Sequence, residues 1–341
     1  MTPEVRYARH GELSLAYQVL GTGPDLLFLP GFVTHLDLAW EEPRLARFLR
    51  GLAGFARLIL FDRRGTGLSD PAPEGLTLSD AVEDVRVVLR AAGSQRPALF
   101  GAAVGAAICT EYALRHPESV RSLVLWAGHA RLLEAPGYPA GWTPSFLAGV
   151  LAGVDEHWAS GAGLDTMNPS LAGDSRHREW FVRHARAAAS PRQARELFGL
   201  CAAADFRDAL PGLEVHTLLL HRTGDPWLSV EHSRWVAAHL PNARLTELAG
   251  DDHWPWIGDA EAPLAAIGEF LTGVRPPRPA LLTPREREVM SLAVQGLTAR
   301  DIAARLFITE RTVESHIEHA YRKLGVTSRI ELVRRAAEWD F

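Results

Sequence analysis

The side chains best suited to catalysis lie directly after predicted strands. Asp225 follows a predicted strand at His216–Leu220, and His253 follows one at Arg244–Leu248. An aspartate that hydrogen-bonds a histidine fixes the orientation of the imidazole, and the histidine can then act as a general base. Chemistry at such a pair requires a third residue that presents a nucleophile.

A sharp turn is also predicted between a short strand and a helix. The predicted strand Ala98–Phe100 runs into the segment GAAVG at 101–105, and a helix follows. Small residues at Gly101 and Gly105 permit a tight turn that lifts its central residue above the sheet. That central residue is Ala103, which has no hydroxyl and cannot form an acyl intermediate.

Alternating strands and helices are predicted to position these residues. Continuous short apolar runs are typical of strands covered by helices on both faces, and helical stretches such as Thr77–Ala92 and Ala106–Arg115 lie between most of them. Residues 130–210 are rich in Gly, Ala and Trp and are predicted to form an inserted helical lid. The pattern predicts an α/β domain at 1–272 with a doubly wound sheet. Its other predicted strands are Ser14–Val19, Asp25–Leu29, Arg57–Phe61 and Ser122–Trp126.

Several motifs at the strand ends resemble those of the α/β-hydrolase family. The segment LPGF at 29–32 is similar to the family's oxyanion loop, and the segment FDRRGTGLSD at 61–70 resembles a further motif that we expect to be structural. With the turn at 101–105, these motifs occur in the family's order. The resemblance covers residues 5–272.

The resemblance implies roles for five residues. Ala103 takes the nucleophile position, Asp225 that of the triad acid and His253 that of the triad base. The backbone N–H groups of Phe32 and Val104 are then expected to form an oxyanion hole.

Three explanations of Ala103 remain open on the sequence. An engineered serine-to-alanine substitution would trap a ligand, and the retained Asp225 and His253 favour it. A natural receptor would have kept the pocket and lost the chemistry. The third explanation is a different nucleophile, such as a cysteine. However, Cys109 is expected to be buried in the following helix, and Cys201 is expected to be a packed apolar residue of the lid.

Aromatic residues near the same loops predict an apolar pocket. Trp254 follows His253, Trp126 ends a predicted strand, and Phe32 lies in the oxyanion-loop motif. We expect Phe32, Trp126 and Trp254 to form the wall of a site for a small apolar ligand. An ester, a lactone or another apolar effector would fit.

The last part of the chain has explicit signals for four short helices. The segment TPRE at 283–286 combines an N-cap, a proline at the first helical position and a capping-box glutamate. Thr298, Thr309 and Ser328 are expected to begin the second, third and fourth helices, and Gly325 to end the third.

The third of these helices has the two faces expected of a recognition helix. Its core-facing residues, at helical spacing, are Val313, Ile317, Ala320 and Leu324. The opposite side is polar and partly basic, with Arg311, Ser315, Glu318 and Arg322, and with His319 and Lys323 nearby. A helix of this kind after a tight turn has the geometry that enters the major groove of DNA.

The segment Leu282–Ala336 resembles the LuxR/GerE-type helix-turn-helix domain over that domain's whole length. The matching residues are Leu282, Thr283, Pro284, Arg285, Glu286, Gly296, Ile302, Ala303, Leu306, Thr312, Val313, His316, Lys323, Leu324, Gly325 and Arg329. The resemblance implies that double-stranded DNA is a partner and that the fourth helix supports a homodimer. With the polar face, it predicts DNA contacts by Arg311, Thr312, Ser315, His316, His319, Arg322 and Lys323.

The charge of this segment departs from the family's pattern. The family often has a lysine after Thr-Val, whereas this chain has Glu314, and residues 281–341 hold ten Lys and Arg against nine Asp and Glu. Because phosphate contacts dominate affinity, we expect modest DNA affinity that dimerisation raises. A four-helix interaction module without DNA contact is the alternative.

The bulk composition is that of a globular, cytoplasmic protein of two or three domains. The chain has 341 residues and a net charge of −5, and three prolines in Gly273–Ala280 predict a stiff extended linker before the domain at 281–341. Two cysteines give neither a disulfide framework nor metal-ligand spacing, and we expect no metal and no cofactor. A polar N-terminus and the lack of long apolar runs predict no secretory signal and no membrane span.

Together these features favour a ligand-responsive, DNA-binding transcription regulator whose hydrolase-like domain senses a small apolar ligand. The alternative is a serine hydrolase of esters or lactones tethered to DNA, with Ala103 in place of an original serine. A third hypothesis is a protein that uses both domains only for assembly.

Overall fold

The computed structural model describes residues 2–72, 75–158, 160–274, 282–324 and 326–336. The chain divides into two compact units, Met1–Arg275 and Pro276–Phe341. Residues 275–280 of the predicted linker, and Gly325, lie outside the described residues.

An eight-stranded sheet forms the centre of the first unit. Its strands are β1 (Arg6–His10), β2 (Leu13–Leu20), β3 (Asp25–Leu29), β4 (Arg57–Phe61), β5 (Ala98–Ala102), β6 (Ser122–Trp126), β7 (Thr217–Arg222) and β8 (Ala243–Leu248). The predicted α/β fold is confirmed, and the seven predicted strands are found with their bounds shifted by at most two residues. Strand β1 was not predicted, because the edge sequence RYARH lacks an apolar run.

The order of the strands places two loops side by side. The spatial order is β1-β2-β4-β3-β5-β6-β7-β8, with β1 and β2 antiparallel and the others parallel. Strand β3 pairs with both β4 and β5, and Leu29 at its end pairs with Gly101. The chain therefore reverses its direction across the sheet at β3, and such switch points are where open α/β sheets bind ligands. The loops that hold Phe32 and Ala103 leave the sheet there.

Helices flank the sheet and cover the edge at which the loops that hold Phe32 and Ala103 leave it. The flanking helices are α1 (Leu36–Ala39), α2 (Pro43–Ala53), α3 (Leu78–Ala91), α4 (Val104–Arg115), α9 (Glu231–His239) and α10 (Glu261–Thr272). Between β6 and β7 lie the lid helices α5 (Pro144–His157), α6 (Leu164–Met167), α7 (Ser175–Ala188) and α8 (Pro191–Ala203). Short 3-10 turns occur at Pro117–Ser119, Pro169–Leu171 and Leu210–Gly212.

The segment 61–70 ties the neighbouring loops together. One carboxylate oxygen of Asp62 accepts hydrogen bonds from the amides of Leu36, at 3.1 Å, and Leu68, at 2.9 Å. Arg64 pairs at 2.6 Å with the buried carboxylate of Asp84 in α3. These bonds give the segment a structural function next to the start of α1.

Four helices form the second unit: α11 (Pro284–Val294), α12 (Ala299–Leu306), α13 (Glu310–Leu324) and α14 (Arg329–Arg335). The expected caps are present: the side chains of Thr283, Thr298, Thr309 and Ser328 each accept a hydrogen bond from a first-turn amide. The most deeply buried side chains of the core include Val289, Met290, Ile302, Val313, Ala320 and Leu332.

The part of the chain that the structure describes contains neither a membrane-spanning helix nor a cluster of metal-binding side chains. No helix there is both long enough and apolar enough to cross a membrane. Within the same residues, no group of three or more His, Cys, Asp or Glu side chains is placed to hold a metal ion.

Candidate functional site

The turn between β5 and α4 holds Ala103 in a strained conformation. Its φ of 47° and ψ of −111° lie where residues with a Cβ are rarely found, at a cost of about 1–3 kcal/mol. The surroundings fix the turn, because a Cβ on Gly105 would collide with the carbonyl oxygen of Leu29, and one on Gly101 with that of Gly105. The Ala103 amide also donates to the carbonyl of Trp126, at 3.1 Å.

Asp225 and His253 meet as a buried hydrogen-bonded pair. The Nδ1 of His253 lies 2.8 Å from Oδ2 of Asp225, and both side chains are almost completely buried. The other oxygen of Asp225 accepts from the amides of Trp227, at 2.8 Å, and Leu228, at 3.1 Å. Burial would raise the pKa of Asp225, but His253 and His221 hold that pKa below its ordinary value. Asp225 therefore stays ionised and fixes the imidazole of His253.

Trp126 does not line the cavity, and the prediction that it forms the pocket wall was wrong. Its side chain is 1% exposed, and its Nε1–H donates to the carbonyl of His253 at 2.7 Å. The guanidinium of Arg222 lies 5.3 Å from the centre of the indole. Trp126 therefore supports the backbone of the His253 loop, because strand β6 is covered on both faces.

Two backbone amides adjoin the turn and are free to bind an acceptor. Within the described residues, the N–H groups of Phe32 and Val104 donate no hydrogen bond. Val104 directly follows Ala103, and a Cβ on Gly31 would lie 3.4 Å from the Cβ of Ala103. The loop before α1 and the start of α4 therefore approach each other closely.

A cavity of about 640 Å³ adjoins these groups. Of the residues predicted for the site, it is lined by Phe32, Ala103, Val104, His253 and Trp254. Lid residues complete its apolar wall, because the ring of Phe32 lies 4.4 Å from that of Phe198 and 5.7 Å from that of Trp158, measured between centroids. The cavity can hold a small, largely apolar molecule.

Neither cysteine is placed to act as a nucleophile. Cys109 in α4 and Cys201 in α8 are both buried, and neither lines the cavity. Burial raises the pKa of Cys109 and raises that of Cys201 to about 12. A thiolate is therefore scarce at neutral pH, and the Cys201 side chain instead contacts His129, with 3.0 Å between Sγ and Nε2.

In the second unit, α13 presents most of the predicted DNA-contacting residues at its surface. Arg311, Thr312, Ser315, His319 and Arg322 are exposed, and His316 is half-buried. The turn before α13 is tight, because Phe307 has a left-handed conformation with a φ of 52°.

Lys323, which is also predicted to contact DNA, forms an ion pair within the domain. Its Nζ lies 2.6 Å from a carboxylate oxygen of Glu286, which is 4% exposed and also accepts from the amide of Thr283. Burial would raise the pKa of Glu286, but Lys323 and Thr283 hold it below its ordinary value. The charge of Lys323 therefore links α13 to α11, and its contact with DNA stays a prediction.

Comparison with known proteins identifies both units. Residues 24–260, more than half of the chain, match the family described as alpha/beta hydrolase fold. The chain belongs to the α/β-hydrolase fold family. Residues 280–336 match the family described as bacterial regulatory proteins, luxR family. An α/β-hydrolase domain is thus fused to a LuxR-type DNA-binding domain, as the sequence resemblances predict.

Individual relatives match one domain or the other. The pimeloyl-[acyl-carrier protein] methyl ester esterase of Chromobacterium violaceum is 27% identical over 266 residues, or 76% of this chain and 98% of that esterase. The spore germination protein GerE of Bacillus subtilis is 55% identical over 53 residues, or 16% of this chain and 72% of GerE. An esterase from Exiguobacterium antarcticum superposes with a TM-score of 0.69 over 79% of this chain and 99% of its own, at 20% identity, which shows the fold alone.

The match to the larger regulators is short. Candidate HTH-type transcriptional regulators of Mycobacterium bovis and Mycobacterium tuberculosis are 54% identical to this chain over 56 residues. That segment is 16% of this chain and only 6% of the length of those relatives. The likeness to them is therefore confined to the DNA-binding domain.

Sequence reasoning missed one residue that shapes the hydrolase-domain site. Arg222, at the end of β7, is 1% exposed and donates to the carbonyls of Asp252, at 2.8 Å, and Trp254, at 3.0 Å. It therefore holds the backbone on both sides of His253. An arginine at the end of an otherwise apolar strand was the available signal, because a buried guanidinium needs several acceptors.

Proposed function

We propose that the protein is a ligand-responsive, DNA-binding transcription regulator whose hydrolase domain binds a small, mostly apolar ligand without hydrolysing it. The conformation of Ala103 supports this proposal most directly. In this fold the turn after β5 presents the nucleophile, and here the same strained turn surrounds a methyl group that cannot react. In the proposal, Asp225 and His253 occupy the positions of the triad acid and base.

In the proposal, a bound ligand stays chemically intact because of the groups around Ala103. His253 has no hydroxyl to activate at residue 103, so a bound ester or lactone would stay intact. The free amides of Phe32 and Val104 would then serve as donors to a ligand oxygen, in place of an oxyanion. We include no cofactor in the proposal.

The DNA-binding domain supplies the output of the proposed regulator. Arg311, Thr312, Ser315 and His319 on the exposed face of α13 would enter the major groove, with Arg322 near the phosphates. Ile330 on α14 is 83% exposed, which supports a homodimer that covers this side chain. A dimer would place two copies of α13 on adjacent half-sites.

Coupling requires that the ligand bind differently to two states of the protein. The lid helices α5 and α8 line the cavity together with the loop that holds Phe32, so an occupied cavity changes the packing of the lid. In the proposal this change alters how two copies of the chain associate, and with it the affinity for DNA.

DNA binding and ester turnover are tested together on the full-length chain. Duplexes enriched from a random library should bind with an association constant whose logarithm falls linearly with the logarithm of salt concentration, because binding releases counterions. Hydrolysis of 4-nitrophenyl hexanoate should stay at the rate of buffer alone. A chain that enriches no duplex, or whose ester hydrolysis is lost in the His253→Ala variant, would contradict the proposal.

The response to a ligand is tested by filling the cavity. Gly153 of α5 lines the cavity and has open space around the position of a Cβ, so Gly153→Phe places a ring inside. Gly199→Phe on the exposed face of α8 is the matched control. We expect the first variant, and not the second, to change the affinity for an enriched duplex. Equal affinities in both variants and the unmodified chain would argue against a ligand-controlled regulator.

A further inference from the structure

The imidazole rings of two histidines that line the cavity have no hydrogen-bond partner among the described residues. His184 in α7 is 7% exposed, and its Nδ1 is buried without a partner. His35 directly precedes α1, and its Nδ1 is buried and unpartnered in the same way. Leaving a polar nitrogen buried without a partner costs about 1–3 kcal/mol, so two of them in one cavity indicate a missing partner.

The packing of α7 on α1 brings these two imidazoles to the same part of the cavity. Trp180, one turn before His184, donates its Nε1–H to the carbonyl of Leu38 in α1 at 2.8 Å. The rings of Trp180 and His184 stack, with 4.9 Å between their centroids. His35 is close enough to His184 that a charge on one imidazole opposes a charge on the other.

The electrostatics of this region select an uncharged group. Burial, with a smaller contribution from His35, lowers the pKa of His184 to about 3, so its imidazole is neutral at physiological pH. Burial also raises the pKa of the Asp62 carboxyl, which lines the cavity nearby, so this region disfavours the charged forms of ionisable groups. A neutral imidazole has one donor and one acceptor nitrogen, so a hydroxyl, which both donates and accepts, matches it best.

We propose that His35 and His184 form a polar subsite for the uncharged, hydrogen-bonding end of an elongated ligand whose remaining length is apolar. The body of the ligand would lie against the aromatic wall, which includes Trp158, Phe181 and Trp254. This inference rests on the proposed ligand binding and adds the chemical class of the ligand: an apolar alcohol, or a similar neutral polar compound, in place of a hydrocarbon or a fatty acid.

The test compares three probes with the same phenyl ring and six-carbon chain on the full-length protein. Displacement of the dye Nile red measures the affinity for 6-phenylhexan-1-ol, hexylbenzene and 6-phenylhexanoate. The variants are His184→Phe and His35→Phe, which replace an imidazole with an apolar ring. His239→Phe is the matched control, because His239 is exposed and stacks on Trp235 outside the cavity.

We expect each cavity variant to weaken binding of the alcohol about three- to tenfold, the effect of one lost hydrogen bond. Binding of hexylbenzene should stay the same or tighten, and the carboxylate should bind the unmodified chain more weakly than the alcohol. His239→Phe should change none of these affinities. The melting temperature of probe-free His184→Phe should equal or exceed that of the unmodified chain, because the substitution removes no hydrogen bond within the protein.

Other outcomes separate the two proposals. If the alcohol binds equally well to all variants, the subsite is wrong and the ligand-binding cavity stands. If the cavity variants lose affinity for both neutral probes and melt earlier, the histidines are structural, which also overturns the subsite. If neither Nile red nor any probe binds the unmodified chain, the proposed ligand binding itself fails.

Discussion

His253 and His184 line the same cavity, but the fold treats them in opposite ways. His253 is bonded to Asp225 through its ring, and its backbone is fixed by Met167 and Trp126. The imidazole of His184 has no hydrogen-bond partner in the described part of the chain. The comparison separates a group that the protein itself orients from one that is left for a ligand.

The DNA-binding domain shows the same contrast between two cations of α13. Lys323 is paired with the buried Glu286, whereas Arg311 is exposed and makes no ion pair within the described residues. Hydrogen-bond partners thus distinguish residues that hold the fold from residues available to a partner molecule.

The largest effect is expected from Ala103→Ser. The oriented imidazole of His253 and the two free amides are already in place, so the variant should hydrolyse 4-nitrophenyl hexanoate at least about 100-fold faster than the unmodified chain. Ala102→Ser, which adds the same hydroxyl one residue earlier in β5, is the control and should gain nothing. The gain should disappear when His253→Ala is added. A serine variant without activity would show that residue 103 is not held in a reactive position.

Asp225→Ala should have the next largest effect, on stability. The variant leaves the amides of Trp227 and Leu228 and the ring of His253 without their acceptor, so we expect the free energy of unfolding to fall by about 2–4 kcal/mol. Chemical denaturation at pH 7 measures this change. Asp251→Ala, at an exposed position in the loop after β8, should change it by less than about 0.5 kcal/mol.

The pH dependence of Asp225 has a definite sign. Because the pKa of Asp225 is lower in the folded protein than in the unfolded chain, its ionised form stabilises the fold above the unfolded pKa of about 3.9. That stabilisation is lost as the pH falls through the folded pKa. The difference in stability between the unmodified chain and Asp225→Asn should therefore shrink on acidification. A constant difference across the acid range would mean that the carboxylate charge contributes nothing.

Lys323→Met and Arg311→Ala should separate stability from DNA binding. The first leaves the buried Glu286 carboxylate without its cation and should destabilise the DNA-binding domain by about 1–2 kcal/mol, a value reduced because Lys323 is partly exposed. The second should leave stability unchanged, weaken DNA binding and lower the salt slope by about one unit. Thermal unfolding and anisotropy titrations measure the two quantities. Equal effects of both variants on stability would show that Lys323 and Arg311 do not differ in how much they stabilise the fold.

The smallest change is expected from Glu314→Lys. Glu314 is exposed on α13, so the substitution replaces a charge that repels phosphate with one that attracts it. We expect tighter binding of an enriched duplex, by up to about tenfold at low salt, and a steeper salt dependence. The same substitution at Glu288, on the exposed face of α11, should have less effect if α13 is the helix that meets DNA.

The sequence predicted the site residues that directly follow strands, because the carboxyl ends of parallel strands meet at one edge of the sheet. Ala103, Asp225 and His253 were found in this way. Trp126 was misplaced because its strand is buried on both faces, and the sequence does not show which face meets the cavity. The ion pair of Lys323 was not predicted, because its partner, Glu286, lies on another helix. His184 was not found because its isolation depends on how α7 packs against α1.

The closely packed glycines on either side of Ala103 make an exchange between alanine and serine at this position structurally simple. Gly101 and Gly105 fix the turn through contacts that do not involve the side chain at position 103, so the backbone need not be rebuilt when that side chain changes. A single nucleotide separates alanine codons from one family of serine codons. Selection for a signal that persists, or for one that is destroyed after it is sensed, can therefore act through one point mutation.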